Sequence, residues 1–299
     1  MSDGQKFYKL VLKLVDKTEE LPPLNGTHRR IIDLVEKDAS LKEIAEKIEP
    51  DLELSATLLR RANSAFYMPR KSIGDIREAL SLVGTKQLTG LFLIERVRKA
   101  VGSDTEFKKE IWEHSYQAAF YSNLLFNEHF KNTSQTDAYT GGLLHDIGKL
   151  IALNFDSESK KDLDDADNLK EKIQPGHLKN DFIKQPLCHP ELGAMLAKKW
   201  NFPDDLAYAI LSHHDLKLGA DKPKPISFCA YFSNVLCRFQ KIIAPIAPIA
   251  PDEEKAQRYY DLIDERALKA FKVSNIAGMK KMSEEIKILF DKNKRALGE

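Results

Sequence analysis

Apolar positions return every three or four residues along most of the chain, the spacing that gives a helix one buried face. In "HRRIIDLVEKDASLKEIAEKIE" the repeat runs through Ile31, Ile32, Val35, Leu41, Ile44 and Ile48. Ser40 fits an N-cap, and Glu43 three residues on completes a capping box. Pro50-Asp51 ends that helix, and "DLELSATLLRRANSAFY" predicts the next. "SIGDIREALSLVG" and "TKQLTGLFLIERVRKA" each begin on a capping-type residue, Ser72 and Thr85, with Gly84 as the break between them. "FKKEIWEHSYQAAFYSNLLFNEHF" predicts a long amphipathic helix, in which Trp112, Tyr116 and Phe120 form a core stripe. "QTDAYTGGLLHDIG" predicts another, with Gly148 near its C-terminal end. Pro190 suits the first turn of "PELGAMLAKKW", and Pro203 with two aspartates opens "PDDLAYAILSHH" in the same way. No stretch alternates with the period of two that a strand requires, so the predicted class is all-α.

Three segments interrupt the helical pattern. Residues 156–187 mix a charged run, "DSESKKDLDDADNLKEK", with "QPGH", and read as a surface insertion. "GADKPKP", 219–225, is a proline-punctuated turn. "APIAPIAP", 244–251, cannot continue a helix, because proline lacks the donor and clashes with the preceding turn; it reads as an extended linker. The expected organisation is an N-terminal helical part over 1–104, a central helical domain over 105–243, and a linker with a C-terminal helical pair over 244–299. Asn63 and Ser64 are expected to satisfy backbone groups at an inter-helix turn. Arg60-Arg61 and Arg70-Lys71 are expected to form a solvated face.

Composition narrows the function classes. The chain of 299 residues carries 46 Lys and Arg against 45 Asp and Glu, a net charge of +1, so bulk charge offers no attraction to nucleic acid or an anionic membrane. No apolar run reaches the roughly 18 to 20 residues that span a bilayer, and the N-terminal stretch lacks a signal-peptide core. Three cysteines, Cys188, Cys229 and Cys237, lack CxxC spacing, which points away from a disulfide framework or a cysteine zinc site and toward a reducing cytoplasm. Phosphate-cradling glycine loops, GxSxG and helix-turn-helix patterns are absent.

What remains is histidine chemistry. Five of eight histidines lie in four compact contexts: His114 in "WEHSY", His145 in "LLHDIGK", His189 in "PLCHPELGA", and His213 with His214 in "ILSHHD". Imidazoles and a carboxylate carried on separate helices can converge on one cation in a bundle core. His145 and Asp146 are adjacent, hence about 100° apart on a helix, so a site touching both lies between them or holds two ions bridged by the Asp. Lys149 follows closely; it suits a phosphate oxygen, or alternatively the negative end of the helix dipole. A metal centre facing a phosphate is the arrangement for metal-activated water attacking a phosphoester.

These motifs carry a family resemblance. "LLRRANSAFYMPRKSIGDIREALSLVG", "IWEHS", "GGLLHDIGKL" and "CHPELGAMLAKKWNFPDDLAYAILSHHD" occur in the order seen in the HDOD family, and His145-Asp146 with upstream His114 resembles the HD superfamily of metal-dependent phosphohydrolases. The resemblance spans roughly residues 20–240. It implies an all-helical, multi-helix HD-like bundle in a bacterial signalling or regulatory setting. It places metal-ligand roles on His114, His145 and Asp146. The related HD-GYP phosphodiesterases would add His189, His213 and His214, with Lys149 near phosphate and Asp146 and Lys149 as the catalytic pair. Two departures stand out: the closing carboxylate of the HD pattern reads Asn234 here, and the chain continues "HHDLKLGADKPKP" where the GYP branch has Gly-Tyr-Pro. Asp215 reads as an ordinary helix-end residue, with substitution for the missing carboxylate as the alternative. The expected cofactor is a divalent metal (Fe, Mn, Mg or Zn). The expected partner is a signalling protein or a phosphorylated small molecule, with a homodimer as one candidate assembly. Two functions follow from the resemblance: a regulatory module with an HD-like pocket, or an active metal-dependent phosphohydrolase acting on a nucleotide-like mono- or diester.

Overall fold

The computed structural model describes residues 15, 18, 26–63, 67, 69, 71–101, 105–130, 138–152, 189–218, 222–244 and 253–297. Among these the chain is helical and carries no strand, in agreement with the all-α expectation. The helices are α1 (Gly26–Glu36), α2 (Leu41–Ile48), α3 (Leu52–Ala62), α4 (Ile76–Val83), α5 (Lys86–Val101), α6 (Glu106–His129), α7 (Ala138–Leu144), α8 (Ile147–Ala152), α9 (His189–Lys199), α10 (Asp204–Ser212), α11 (Pro225–Ile243), α12 (Glu253–Tyr260), α13 (Glu265–Ala270) and α14 (Ile276–Leu297). They divide into two compact units, one of 21–100 with 285–299, the other of 1–20 with 101–284. The proposed insertion over 156–187 and the proline linker after residue 244 lie outside the described residues. No described helix is long and apolar enough to cross a membrane.

In the smaller unit, α1 to α4 pack around Ile31, Ile44, Ile48, Leu58, Leu80 and Leu88. The Ser40–Glu43 capping box forms: the hydroxyl accepts from the Glu43 N–H and the Glu43 carboxylate accepts from the Ser40 N–H at 2.9 Å. Asn63 performs the expected turn role. Its Nδ2 donates to the Leu59 and Ile73 carbonyls at 2.9 and 2.7 Å, and its Oδ1 accepts from the Ile73 N–H at 2.7 Å. The cap of α4 corrects the expectation: Asp75, not Ser72, precedes the helix and accepts from the Glu78 N–H at 2.8 Å. An Asp immediately before the first helical residue reaches the free N–H groups that a residue three positions earlier cannot.

The larger unit is built on α11, whose residues from Ile226 to Phe239 are buried almost without break, as befits a helix surrounded on all sides. Helices α6 and α7 pack on it and on each other, α10 packs beside it, and α9 joins α8 to α10. Trp112 and Phe120 are buried and Tyr116 is partly buried, as core packing requires. Two glycines allow backbones to touch. A Cβ on Gly142 would lie 2.7 Å from the Ala118 carbonyl oxygen of α6. A Cβ on Gly148 would lie 2.0 Å from the His189 carbonyl oxygen.

Two further expectations are corrected. The single helix predicted over 135–148 is two helices, with His145 and Asp146 forming the turn between α7 and α8. Gly148 therefore sits inside α8, selected for close approach to α9 rather than for a helix end. Among its described residues the C-terminal region holds three helices, not a pair, because Asp264 starts a separate helix by accepting from the Arg266 N–H at 2.9 Å.

The glycine geometry makes a stability prediction. Gly148→Ala meets fixed backbone and should lower the unfolding free energy by about 2–3 kcal/mol or more. Gly278→Ala, inside α14 with only an ordinary contact near its Cβ, should raise it by about 0.5–1 kcal/mol. Urea denaturation of the two variants measures both; similar effects would refute the close-packing account.

Candidate metal centre

The turn between α7 and α8 brings His145 and Asp146 inward together, where a continuous helix would point them apart. Helix ends then aim the rings. His145 is the first residue after α7, and His213 the first after α10. The last carbonyls of a helix lack internal partners. Each histidine uses one: His145 Nδ1 donates to the Gly142 carbonyl at 2.6 Å, and His213 Nδ1 donates to the Ile210 carbonyl at 2.6 Å. With the proton held on Nδ1, Nε2 of both rings carries a lone pair turned into the cavity. Sequence reading missed this second layer, although the signal was present as a histidine three residues after a helix-end carbonyl.

All six expected ligand residues meet. On one side of the Asp146 carboxylate, Oδ1 lies 3.1 Å from His189 Nε2 and 3.4 Å from His213 Nε2. His189 Nε2 is 3.1 Å from His213 Nε2 and 3.1 Å from His214 Nε2. On the other side, Oδ2 lies 3.3 Å from His145 Nε2 and 3.7 Å from His114 Nε2, and those two nitrogens are 3.2 Å apart. The donor atoms thus form two groups, first His114–His145–Asp146 and second Asp146–His189–His213–His214, sharing the one carboxylate. Adjacent ligand atoms around a tetrahedral ion with bonds of about 2.0–2.1 Å stand about 3.3 Å apart, so both groups have the spacing of a ligand set. Asp146 Oδ1 is buried and accepts no well-directed hydrogen bond, which leaves it free for a cation. The residues present therefore fit a divalent metal.

The electrostatics agree. Burial holds His114 well below its ordinary pKa, reinforced by neighbouring His145 and opposed by Asp146. Burial pushes His213 down to about 4, against the opposing pull of Asp146. Neutral imidazole is the metal-binding form. Burial alone would raise the Asp146 carboxyl, but His145, Lys149 and the contact with His189 hold it well below the usual carboxylate range. Lys149 is buried and its Nζ donates to Asp146 Oδ2 at 2.9 Å. The Asp146, His145 and His213 side chains are at most 1 % exposed, whereas His114 is 19 % exposed and His214 is likewise only partly buried, so each group has one ring nearer to solvent.

The residues outside the two groups are equally informative. Asp215 does not join them; its Oδ1 accepts from the Lys217 N–H at 2.9 Å, the expected helix-end role. Asn234 stands behind the second group, with Nδ2 3.3 Å from His214 Nδ1. His28, which the sequence did not single out, lies in the smaller unit, stacked on Phe92 at 4.2 Å and near Asp51 and Glu95, as a packed core histidine.

Comparison with known proteins places this geometry. A protein from Treponema pallidum (strain Nichols), described only as uncharacterized, is 28% identical over 232 residues, covering 77% of this chain and 45% of that protein. The chain thus spans about half the length of the curated relative it matches. A crystal structure of an HDOD domain protein with unknown function from Geobacter sulfurreducens aligns at TM-score 0.60 and 20% identity, over 94% of this chain and 98% of the other. A protein proposed to be a metal-dependent phosphohydrolase, from Shewanella amazonensis SB2B, aligns at TM-score 0.57 and 20% identity, over 94% and 99% of the two chains. At that identity these likenesses establish the helical fold. The family model of the HDOD domain matches residues 21–216, a span that takes in α1 to α10 and every histidine of the two groups. By that match the chain belongs to the HDOD family.

Proposed function

We propose that the chain is a bacterial signal-transduction module whose central cluster binds a divalent metal, one of Fe, Mn, Mg or Zn, and with it a phosphorylated ligand. One observation carries the reading: the five Nε2 atoms of His114, His145, His189, His213 and His214 gather on the two oxygens of the single buried carboxylate of Asp146. When bound, the metal would supply Lewis acidity toward a phosphoryl oxygen and activation of water. Asp146 and the imidazoles hold and orient the ion. Lys149, whose Nζ donates to Asp146 Oδ2, would offer its ammonium to a phosphate oxygen. Cys229 and Cys237 are buried free thiols, which supports a reducing cytoplasm. A signalling partner, or a second copy of the chain, would receive the occupancy signal.

The alternative is turnover. Two donor groups bridged by one carboxylate are the layout used for two-ion phosphoester hydrolysis, so a metal-dependent phosphohydrolase remains the second reading. Asn234 in place of a closing carboxylate, and the missing Gly-Tyr-Pro loop, favour binding.

Protein purified without chelator and supplied with Mn²⁺ or Fe²⁺ should contain metal by elemental analysis, and Asp146→Ala and His145→Ala should reduce it at least tenfold. Metal without hydrolysis of a generic phosphodiester supports the regulatory module. Turnover abolished by both substitutions would establish the hydrolase instead, and a metal-free wild type would sink both readings.

The metal-free protein should also lose stability in acid. His213 in the folded state resists protonation until about pH 4, whereas in the unfolded chain it protonates near 6.5. The unfolded state therefore binds more protons between those values, and stability falls as pH drops through that window, by about 3 kcal/mol in total from this group. Chemical denaturation from pH 7 to 4 tests this; a His213→Gln variant should show a shallower slope over the same window.

A further inference from the structure

His214 is held differently from His145 and His213. His145 and His213 give Nδ1–H to carbonyl oxygens. His214 Nδ1 instead faces the side-chain nitrogen of Asn234 at 3.3 Å. The same Asn234 Nδ2 donates to the His213 carbonyl oxygen, also at 3.3 Å. The orientation of an amide is decided by its partners, and here one partner is a carbonyl that can only accept. Turning the amide over would set Oδ1 against that carbonyl oxygen, replacing a hydrogen bond by a contact between two acceptors at a position only 2 % exposed. The His213 carbonyl thus fixes the amide, and the amide, able only to donate through Nδ2, fixes the ring: Nδ1 of His214 holds the lone pair and Nε2 the proton.

We infer that Asn234 keeps the His214 ring proton on Nε2, so that His214 is a hydrogen-bond donor to an anionic ligand of the metal centre and not a metal ligand. The ligand part rests on the metal-binding reading above; the tautomer does not. The second group would then hold an ion through Asp146 Oδ1, His189 and His213, and His214 Nε2, which here donates to His189 Nε2 at 3.1 Å, would present its N–H beside that ion. His214 is only half-buried, so an incoming phosphoryl oxygen can reach it. A carboxylate at 234 would do the reverse. It would accept from Nδ1–H and turn the Nε2 lone pair toward the ion, the carboxylate–histidine–metal arrangement. Asn234 is therefore a positioning residue that trades a fourth metal ligand for a phosphate contact.

The test begins with the metal-free full chain. Long-range proton–nitrogen correlation of the histidine rings, with His214 assigned by its loss in His214→Ala, should show the proton on Nε2 in the wild type and on Nδ1 in Asn234→Asp. A wild-type His214 protonated on Nδ1 overturns the inference without need of any variant that must fold. With Mn²⁺ as probe, His213→Ala should weaken binding about tenfold or more, His214→Ala less than about threefold, and Asn234→Asp should tighten it about tenfold. Equal losses in His213→Ala and His214→Ala overturn the inference. Inorganic phosphate binding to the Mn²⁺-loaded protein should weaken about tenfold in His214→Ala, the loss of one charge-assisted hydrogen bond; unchanged phosphate binding overturns the donor role. If the wild type takes up no Mn²⁺ while its ring proton sits on Nε2, the metal-binding reading fails and the tautomer assignment stands.

Discussion

A carboxylate removed from water must be answered by positive charge or by donors, because the desolvation of an ion amounts to several kcal/mol even after relaxation. Asp146, 1 % exposed at the centre of the larger unit, sets that requirement for everything around it. Lys149 answers on the Oδ2 side with a direct ion pair. On the Oδ1 side there are imidazoles alone, and burial keeps His213 in its neutral form. The carboxylate is thus compensated on one face and left electrostatically open on the other. Such an asymmetric environment is poor as a structural ion pair and suitable as a cation site.

The fold meets that requirement through helix ends. Of the six ligand candidates only His114 lies in the middle of a helix. His145 and Asp146 occupy a turn, His189 opens α9, and His213 and His214 follow the last turn of α10. A helix end allows a side chain to leave at an angle a helix interior forbids, and it provides the unpaired carbonyls that lock His145 and His213. Convergence of separate ends then depends on how closely their helices approach. That is why backbone atoms touch at Gly142 and Gly148: a single methyl at either position would separate α7 from α6, or α8 from α9, and with them the two sides of the candidate metal centre.

This accounts for what the sequence disclosed and what it concealed. Helical periodicity exposed the class and most elements, since an amphipathic repeat reports burial of a face directly. The histidine set was legible because His114, His145, His189, His213 and His214 recur in small or apolar surroundings where a charged group has no other reason to be. The break at His145-Asp146 was not legible: "TGGLLHDIGKL" has uninterrupted helical spacing, and the turn is imposed by tertiary contacts of α7 with α6 and of α8 with α9. The cap at Asp75 was missed because the stretch offers a serine three residues before the aspartate that meets the free N–H groups, and the start at Asp264 because the helical pattern runs across it without a break. Asn234 was marked as a departure from a pattern, but its physical effect lay in an amide meeting a carbonyl and a ring from another helix, which spacing along one chain does not express.

The balance of charge also bears on binding against turnover. A site that offers two groups of imidazoles but a single carboxylate neutralises very little of the charge carried by divalent ions, and Lys149 adds to the excess. In a low-dielectric pocket such an excess strongly favours an anion. A phosphoryl group supplies several oxygens able to contact ion, lysine and ring N–H together. Were the position of Asn234 a carboxylate, part of that demand would be met by the protein itself, and a product anion would leave more readily. The amide leaves the demand to the ligand. On the reading proposed above, the same pocket would hold a phosphorylated compound, the property a sensing module needs and a rapidly turning-over hydrolase does not.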